Sequence, residues 1–94
     1  YVVFEVSSED GRVGHITNLA VEEPYRRRGV GSTLLTECLR RLKEAGCSVA
    51  RLEVRESNLK ARDFYRRHGF REVGRVRWYY VDEDAILMEA KLGS

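Results

Sequence analysis

The 94 residues are enough for one domain and not for two. Hydrophobic residues make up 43% and charged residues 34%, the balance of a globular protein, and no apolar run approaches the roughly 18 residues of a membrane span. With 17 Lys and Arg against 15 Asp and Glu, the net charge of +2 is too small to argue for general nucleic-acid binding.

The chain opens on Tyr1-Val2-Val3-Phe4-Glu5-Val6, a β-branched and aromatic run that reads as a strand from the middle of a sheet. Chains rarely begin in such a place, so a longer natural protein is expected. The bare edge of this strand would favour self-association with a second copy. Ser7 to Gly14, rich in Ser, Asp and Gly, reads as the turn of a hairpin, and His15 to Val21 as the returning strand. Glu22-Glu23-Pro24 ends it, because proline has no amide hydrogen for a ladder. From Val30 to Ala45 the spacing predicts a helix: Val30, Leu34, Leu35, Cys38, Leu39 and Leu42 fall on one face, and Gly46 stops it. Val49 to Val54 is a short β-branched strand. Ser57 or Asn58 caps a second helix through about Arg67, with Ala61, Phe64 and Tyr65 on its apolar side and Gly69 at its end. Phe70 to Val81 and Ala85 to Leu92 are read as two closing strands, joined by the acidic turn Asp82-Glu83-Asp84. The order β-β-α-β-α-β-β predicts an α/β domain on a mixed sheet, with a right-handed crossover from His15 to Val54.

Two cysteines make no disulfide framework; Cys38 lies on the apolar helix face and Cys47 just beyond its end, and both are read as structural thiols. No Cys/His spacing predicts a metal site. There is no signal peptide and no membrane partner in the pattern, so a cytoplasmic location is the default.

Chemistry concentrates first in Arg26-Arg27-Arg28-Gly29-Val30-Gly31-Ser32, between a strand and a long helix. A helix N-terminus offers unpaired amide hydrogens and partial positive charge, glycines admit a ligand to the backbone, and arginines add full charges. Such a loop suits a phosphate or pyrophosphate; the alternative is a basic turn with helix-entry glycines. No Gly-Lys-Ser/Thr follows, and Leu34 stands where a dinucleotide fingerprint has its third glycine.

The spacing Arg-x-x-Gly-x-Gly at Arg26, Gly29 and Gly31 resembles the pyrophosphate loop of the GNAT acetyltransferase superfamily. A second segment, Leu52-Glu53-Val54-Arg55-Glu56-Ser57-Asn58 through Tyr65 to Gly69-Phe70, resembles the other half of that family's cofactor site, with its Asn-x-x-Ala and Tyr-x-x-x-Gly-Phe. Nearly the whole chain is covered. The resemblance implies a GNAT-like sheet splayed between the strands of His15–Val21 and Val49–Val54, without the strands and helices that usually precede this part of the fold. It implies acetyl-coenzyme A in the opening, with pantetheine along Leu19, Ala20 and Val21 and pyrophosphate on Arg26, Arg27, Arg28, Gly29, Val30, Gly31 and Ser32.

The same resemblance names candidate catalysts. Glu53 matches the glutamate assigned as base in ribosomal-protein alanine N-acetyltransferases, although it could simply pair with Arg51 or Arg55. His15, in Gly-His-Ile-Thr-Asn-Leu-Ala-Val, matches a histidine proposed as base in archaeal and eukaryotic N-terminal acetyltransferases, and imidazole chemistry suits that role. Tyr65 matches the general acid that protonates the coenzyme-A thiolate, and Asn58 both caps its helix and reaches the cofactor. Tyr79 and Tyr80 resemble a tyrosine pair that lines the peptide entrance; core packing is their alternative. His68 is read as solvated surface.

The function implied is transfer of acetyl to a protein N-terminal amine, with a peptide acceptor, acetyl-coenzyme A as co-substrate, no metal and no nucleic acid. A lysine or small-amine acceptor, or a non-catalytic acyl-coenzyme-A-binding fragment, stands as the alternative.

Overall fold

In a computed structural model the structure describes residues 3–6, 12–17 and 30–92. Seven elements follow in order: β1 (Val3–Val6), β2 (Val13–Thr17), α1 (Val30–Glu44), β3 (Val49–Arg55), α2 (Leu59–Arg67), β4 (Arg71–Val76) and β5 (Ala85–Lys91). The five strands form one sheet in the order β1-β2-β3-β5-β4. β2 and β3, separated by α1, are parallel, and the other neighbours are antiparallel. The expected α/β domain with a mixed sheet is therefore present.

Strand alternation divides the chemistry. On β3, Ala50, Leu52 and Val54 are buried, while Val49, Arg51 and Glu53 point to the other face. Leu35, Cys38 and Leu42 of α1 cover the apolar side, joined by Ile16, Ile86 and Met88, and Phe64 and Tyr65 of α2 pack against the same cluster. Burial pushes the Cys38 thiol up to about 11, which keeps it neutral and inert at physiological pH. Both cysteines are buried and neither forms a disulfide, as read from the sequence.

Both helices end in the same way. Gly46 and Gly69 take φ of +93° and +92°, a region open to glycine. After α1, the Gly46 amide donates to Lys43 O and the Cys47 amide to Leu42 O, each at 3.0 Å. After α2, the Gly69 amide donates to Arg66 O at 3.2 Å and the Phe70 amide to Tyr65 O at 3.0 Å. These are paired Schellman bonds, and each brings an apolar residue back onto its helix. The Phe70 ring meets Tyr65 edge-on with centroids 5.6 Å apart. Tyr65 is thus fixed by backbone and ring together.

Two boundaries differ by more than one residue from those expected. β2 begins at Val13 rather than His15, because Gly14 belongs to the sheet: it pairs with Val6 on one side and Ala50 on the other. β4 stops at Val76, so Trp78, Tyr79 and Tyr80 lie in a loop and not in a strand. Trp78 has φ +55°, and its amide donates to the Asp84 carboxylate at 2.9 Å instead of to a neighbouring strand. The acidic turn captures the aromatic run and breaks the ladder.

Gly14 also sets how closely α1 approaches β2. A Cβ there would sit 2.5 Å from Leu42 Cδ2, and Leu42 is fully buried with nowhere to retreat. Gly14→Ala should therefore destabilise the fold by roughly 1–3 kcal/mol through overpacking. Leu42→Ala alone should cost about 2–5 kcal/mol. Urea denaturation of the double variant should show that Gly14→Ala adds almost nothing once Leu42 is cut back; fully additive losses would disprove the contact.

Candidate active site

β2 and β3 pair at Val13–Val49, Gly14–Ala50 and His15–Arg51, and there the register ends. β2 nevertheless continues to Thr17 and β3 to Arg55. Beyond Arg51, β3 keeps only β5 as a ladder partner among the described residues. Among the described residues the β2–β3 ladder stops at this point, leaving β3 backbone that an extended, amide-containing ligand could pair with.

His15 and Glu53 face each other across the start of this gap. Glu53 lies two residues beyond the register partner of His15, on the same side of the sheet, a diagonal that long side chains can span. His15 Nε2 is 2.5 Å from Glu53 Oε1. Their side chains are 35% and 12% exposed, so the pair is screened yet reachable. An ionised carboxylate can only accept, so the imidazole donates from Nε2 and keeps its Nδ1 lone pair. The Tyr79 hydroxyl donates to the same Oε1 at 3.3 Å. Burial first, then the Glu53 charge, holds the Tyr79 hydroxyl above the ordinary tyrosine range.

The arginines that could have neutralised Glu53 are engaged elsewhere. Arg51 Nε donates to Glu89 at 2.6 Å. Arg55 donates to Asp82 at 2.7 Å and Glu83 at 3.1 Å, and its guanidinium lies 4.2 Å from the centre of the Tyr80 ring. Tyr79 and Tyr80 meet edge-on at 5.0 Å. The tyrosine pair thus belongs to the surface over Glu53, and Tyr79 is half-exposed.

Tyr65 is half-buried against the hydrophobic core. Burial, with a smaller contribution from Tyr80, raises its hydroxyl above the usual tyrosine range, so it remains a proton donor at neutral pH. Asn58 caps α2, its Oδ1 accepting the Ala61 amide at 3.1 Å. Val30 and Gly31 open α1, with Ser32 in its first turn. Arg26, Arg27, Arg28 and Gly29 of the expected phosphate loop, and Leu19, Ala20 and Val21 of the expected pantetheine strand, lie outside the described residues.

His68 corrects its reading as solvated surface. Its Nδ1 lies 2.8 Å from Phe64 O, its Nε2 3.0 Å from Ser32 Oγ, and its ring stacks obliquely on Phe64 with centroids 4.5 Å apart. Since a carbonyl only accepts, Nδ1 carries hydrogen, and in the neutral ring the Ser32 hydroxyl donates to Nε2. His68 therefore ties the end of α2 to the first turn of α1, 36 residues away. Among the described residues, no group of three His, Cys, Asp or Glu could hold a metal ion, and no helix is long and apolar enough to cross a membrane.

Comparison with known proteins gives the family. The chain is 46% identical over 81 residues to an N-alpha-acetyltransferase of Sulfurisphaera tokodaii, covering 84% of this chain and 48% of that protein. It is 40% identical over 75 residues to the ribosomal protein bS18-alanine N-acetyltransferase of Escherichia coli K12, covering 76% of this chain and 51% of that protein. The crystal structure of Ard1 from Thermoplasma volcanium superimposes with a TM-score of 0.90 at 33% identity, covering 99% of this chain and 62% of that one. The chain spans about half the length of the curated relatives it matches. The family model described as acetyltransferase (GNAT) family matches residues 1–70, from the first strand through both helices, and with relatives this similar the chain belongs to the GNAT acetyltransferase family.

Proposed function

We propose that this chain carries the donor site and base of an enzyme that acetylates protein N-terminal α-amines with acetyl-coenzyme A. The observation that carries the reading is the His15–Glu53 contact at the edge of the β2–β3 gap. Relatives named as N-alpha-acetyltransferases from Sulfurisphaera tokodaii, Sulfolobus acidocaldarius and Arabidopsis thaliana support it. The cytoplasm, where new N-termini emerge, is the proposed setting.

The fit to acetyl-coenzyme A rests on the parted strands. Pantetheine has amides that can replace the ladder bonds β3 lacks beyond Arg51; Leu19, Ala20 and Val21 are its proposed partners by the motif. The proposed pyrophosphate cradle is Arg26 to Gly29 with the first turn of α1, where Val30, Gly31 and Ser32 supply amides and a hydroxyl. Asn58 is the proposed contact at the far side, with its amide nitrogen still free to donate after its oxygen caps α2.

The bound cofactor supplies the activated acetyl thioester. The amine must arrive neutral, and its pKa sets the cost. At pH 7 deprotonation costs about 1.4 kcal/mol for an α-amine and about 4.6 kcal/mol for lysine. In the joined pair Glu53 holds the imidazole tautomer, and His15 Nδ1 or the second Glu53 oxygen is the proposed acceptor of the amine proton, directly or through water. The amine nitrogen would then attack the thioester carbonyl, the carbon–sulfur bond would break, and Tyr65 is the proposed donor of a proton to the departing thiolate; the proton the nitrogen sheds on becoming an amide passes through solvent and restores the Tyr65 hydroxyl. Tyr79 and Tyr80 are proposed to line the acceptor path, Tyr79 steadying Glu53.

Acceptor choice is the direct test. Full-length protein offered N-terminal peptides, blocked lysine peptides and polyamines side by side should acetylate the N-terminal peptides fastest. Faster reaction of lysine peptides or polyamines would overturn the substrate. Binding of acetyl-coenzyme A with no transfer to any acceptor would make this a binding module.

The coupled pair makes a second prediction. Glu53→Gln and His15→Phe should each lower kcat/KM by roughly 10²-fold or more, with cofactor affinity unchanged. The double variant should fall little further than the worse single one. Independent, multiplying losses would show two separate groups rather than one unit.

A further inference from the structure

The loop of residues 77–84 holds its shape without a core. Trp78 is 74% exposed, Tyr79 48% and Val81 fully exposed. Trp78 also adopts a left-handed backbone, uncommon for a large side chain and sustained only where surrounding bonds impose it. The Asp84 carboxylate holds the Trp78 amide, and polar bonds from Asp82, Glu83 and Asp84 tie the loop to the end of β3 and the turn after it.

Glu83 is the centre of these bonds. Its Oε1 accepts the Ser57 amide at 2.9 Å, and its Oε2 accepts the Ser57 hydroxyl at 3.0 Å and Arg55 Nη1 at 3.1 Å. Its own carbonyl accepts the Tyr80 amide at 3.0 Å. The Ser57 amide, first among several donors, holds its carboxyl below the usual range. Next along the chain, Asp84 O accepts the Glu56 amide at 3.2 Å, while its carboxylate takes the Trp78 amide and Arg75.

An exposed ion pair by itself is weak and easily screened. Glu83 differs because three donors converge on both of its oxygens and one is a backbone amide that cannot rotate away. Arg55 adds a second constraint, since the guanidinium that reaches Glu83 and Asp82 also covers the Tyr80 ring. Tyr79, the neighbouring residue, places its hydroxyl on Glu53. The chain of contacts runs Ser57 to Glu83 to Tyr80 and Tyr79, and ends at the proposed base. Tyr65 stands outside it, fixed through Phe70 and the core.

We propose that Glu83 is a positioning residue that latches the 77–84 loop onto Ser57 and Arg55, and so fixes Tyr79 against Glu53 on the acceptor side of the site. This rests on the acetyltransferase reading above. The latch governs acceptor engagement and leaves the donor side alone.

The test is Glu83→Ala in the full-length protein, with Glu83→Gln retaining an oxygen for the Ser57 amide but losing the charge. Glu83→Ala should raise the KM for a peptide acceptor roughly 10- to 100-fold, with the Kd of acetyl-coenzyme A within about twofold of the parent. Glu83→Gln should fall between the two. Trp78 reports the loop directly: the anisotropy of its fluorescence, isolated by subtracting a Trp78→Phe control, should drop in Glu83→Ala. Unchanged acceptor KM and anisotropy would overturn the latch, as would equal losses for acceptor and cofactor. If no acceptor is acetylated even by the parent, the functional reading fails, and Trp78 anisotropy still decides whether Glu83 holds the loop. If Glu83→Ala does not fold, the same comparisons with Glu83→Gln decide it.

Discussion

β2 and β3 are pulled together on one face and left apart at one end, and the site depends on that combination. Gly14 lets α1 come down on β2, and Leu42 fills the space a side chain would have taken. Ala50, Leu52 and Val54 continue the same buried surface on β3. Apolar burial at this face is the main favourable term for the fold. It fixes both strands without placing a polar group in the core, and none of the described residues there is polar. The opposite face is then free to carry His15 and Glu53, whose hydrogen bond joins the strands just past the point where their backbone register stops.

The proposed base, His15 with Glu53, works only if its neighbours do not compensate it. Arg51 and Arg55 flank Glu53 in sequence, yet each is engaged by another carboxylate, Glu89 for one and the acidic turn for the other. Glu53 is left with imidazole and a tyrosine hydroxyl, partners that orient it without supplying a fixed positive charge. The proposed acid is handled differently. Tyr65 sits at the third-last position of a capped helix end, pinned by Phe70, and burial keeps its proton on. Base and acid thus stand on separate supports, so changes on one side of the reaction need not disturb the other.

Much of this was legible in the sequence, for local reasons. The apolar spacing of Leu35, Cys38 and Leu42 gave α1 its bounds to within a residue, and Gly46 and Gly69 marked helix ends because only a residue free at positive φ closes them so. Side-chain chemistry offers Ser57 or Asn58 as the cap of α2, and the structure puts it on Asn58. His15 and Glu53 were both named as candidates, but their contact depends on the register of a parallel pair, which no local pattern contains. The aromatic run at Trp78-Tyr79-Tyr80 has strong strand propensity, and it was misread as strand because the carboxylate that captures the Trp78 amide lies six residues on. His68 reads as solvated surface for the same kind of reason, since its partner Ser32 is 36 residues away and on another helix. The positions of Leu19, Ala20, Val21 and Arg26 to Gly29 fall outside the described residues, so their part in the cofactor site rests on the motif.

The central claim is that an acceptor amine meets the His15–Glu53 pair at the mouth of the β2–β3 gap. A crystal structure of the full-length protein with a peptide covalently joined to coenzyme A would test it most directly. The account predicts the peptide's α-nitrogen about 3 Å from His15 Nδ1 or a Glu53 oxygen, or one water removed from either. An α-nitrogen held by other residues, with His15 and Glu53 still bonded only to each other and no water between them and the amine, would contradict it.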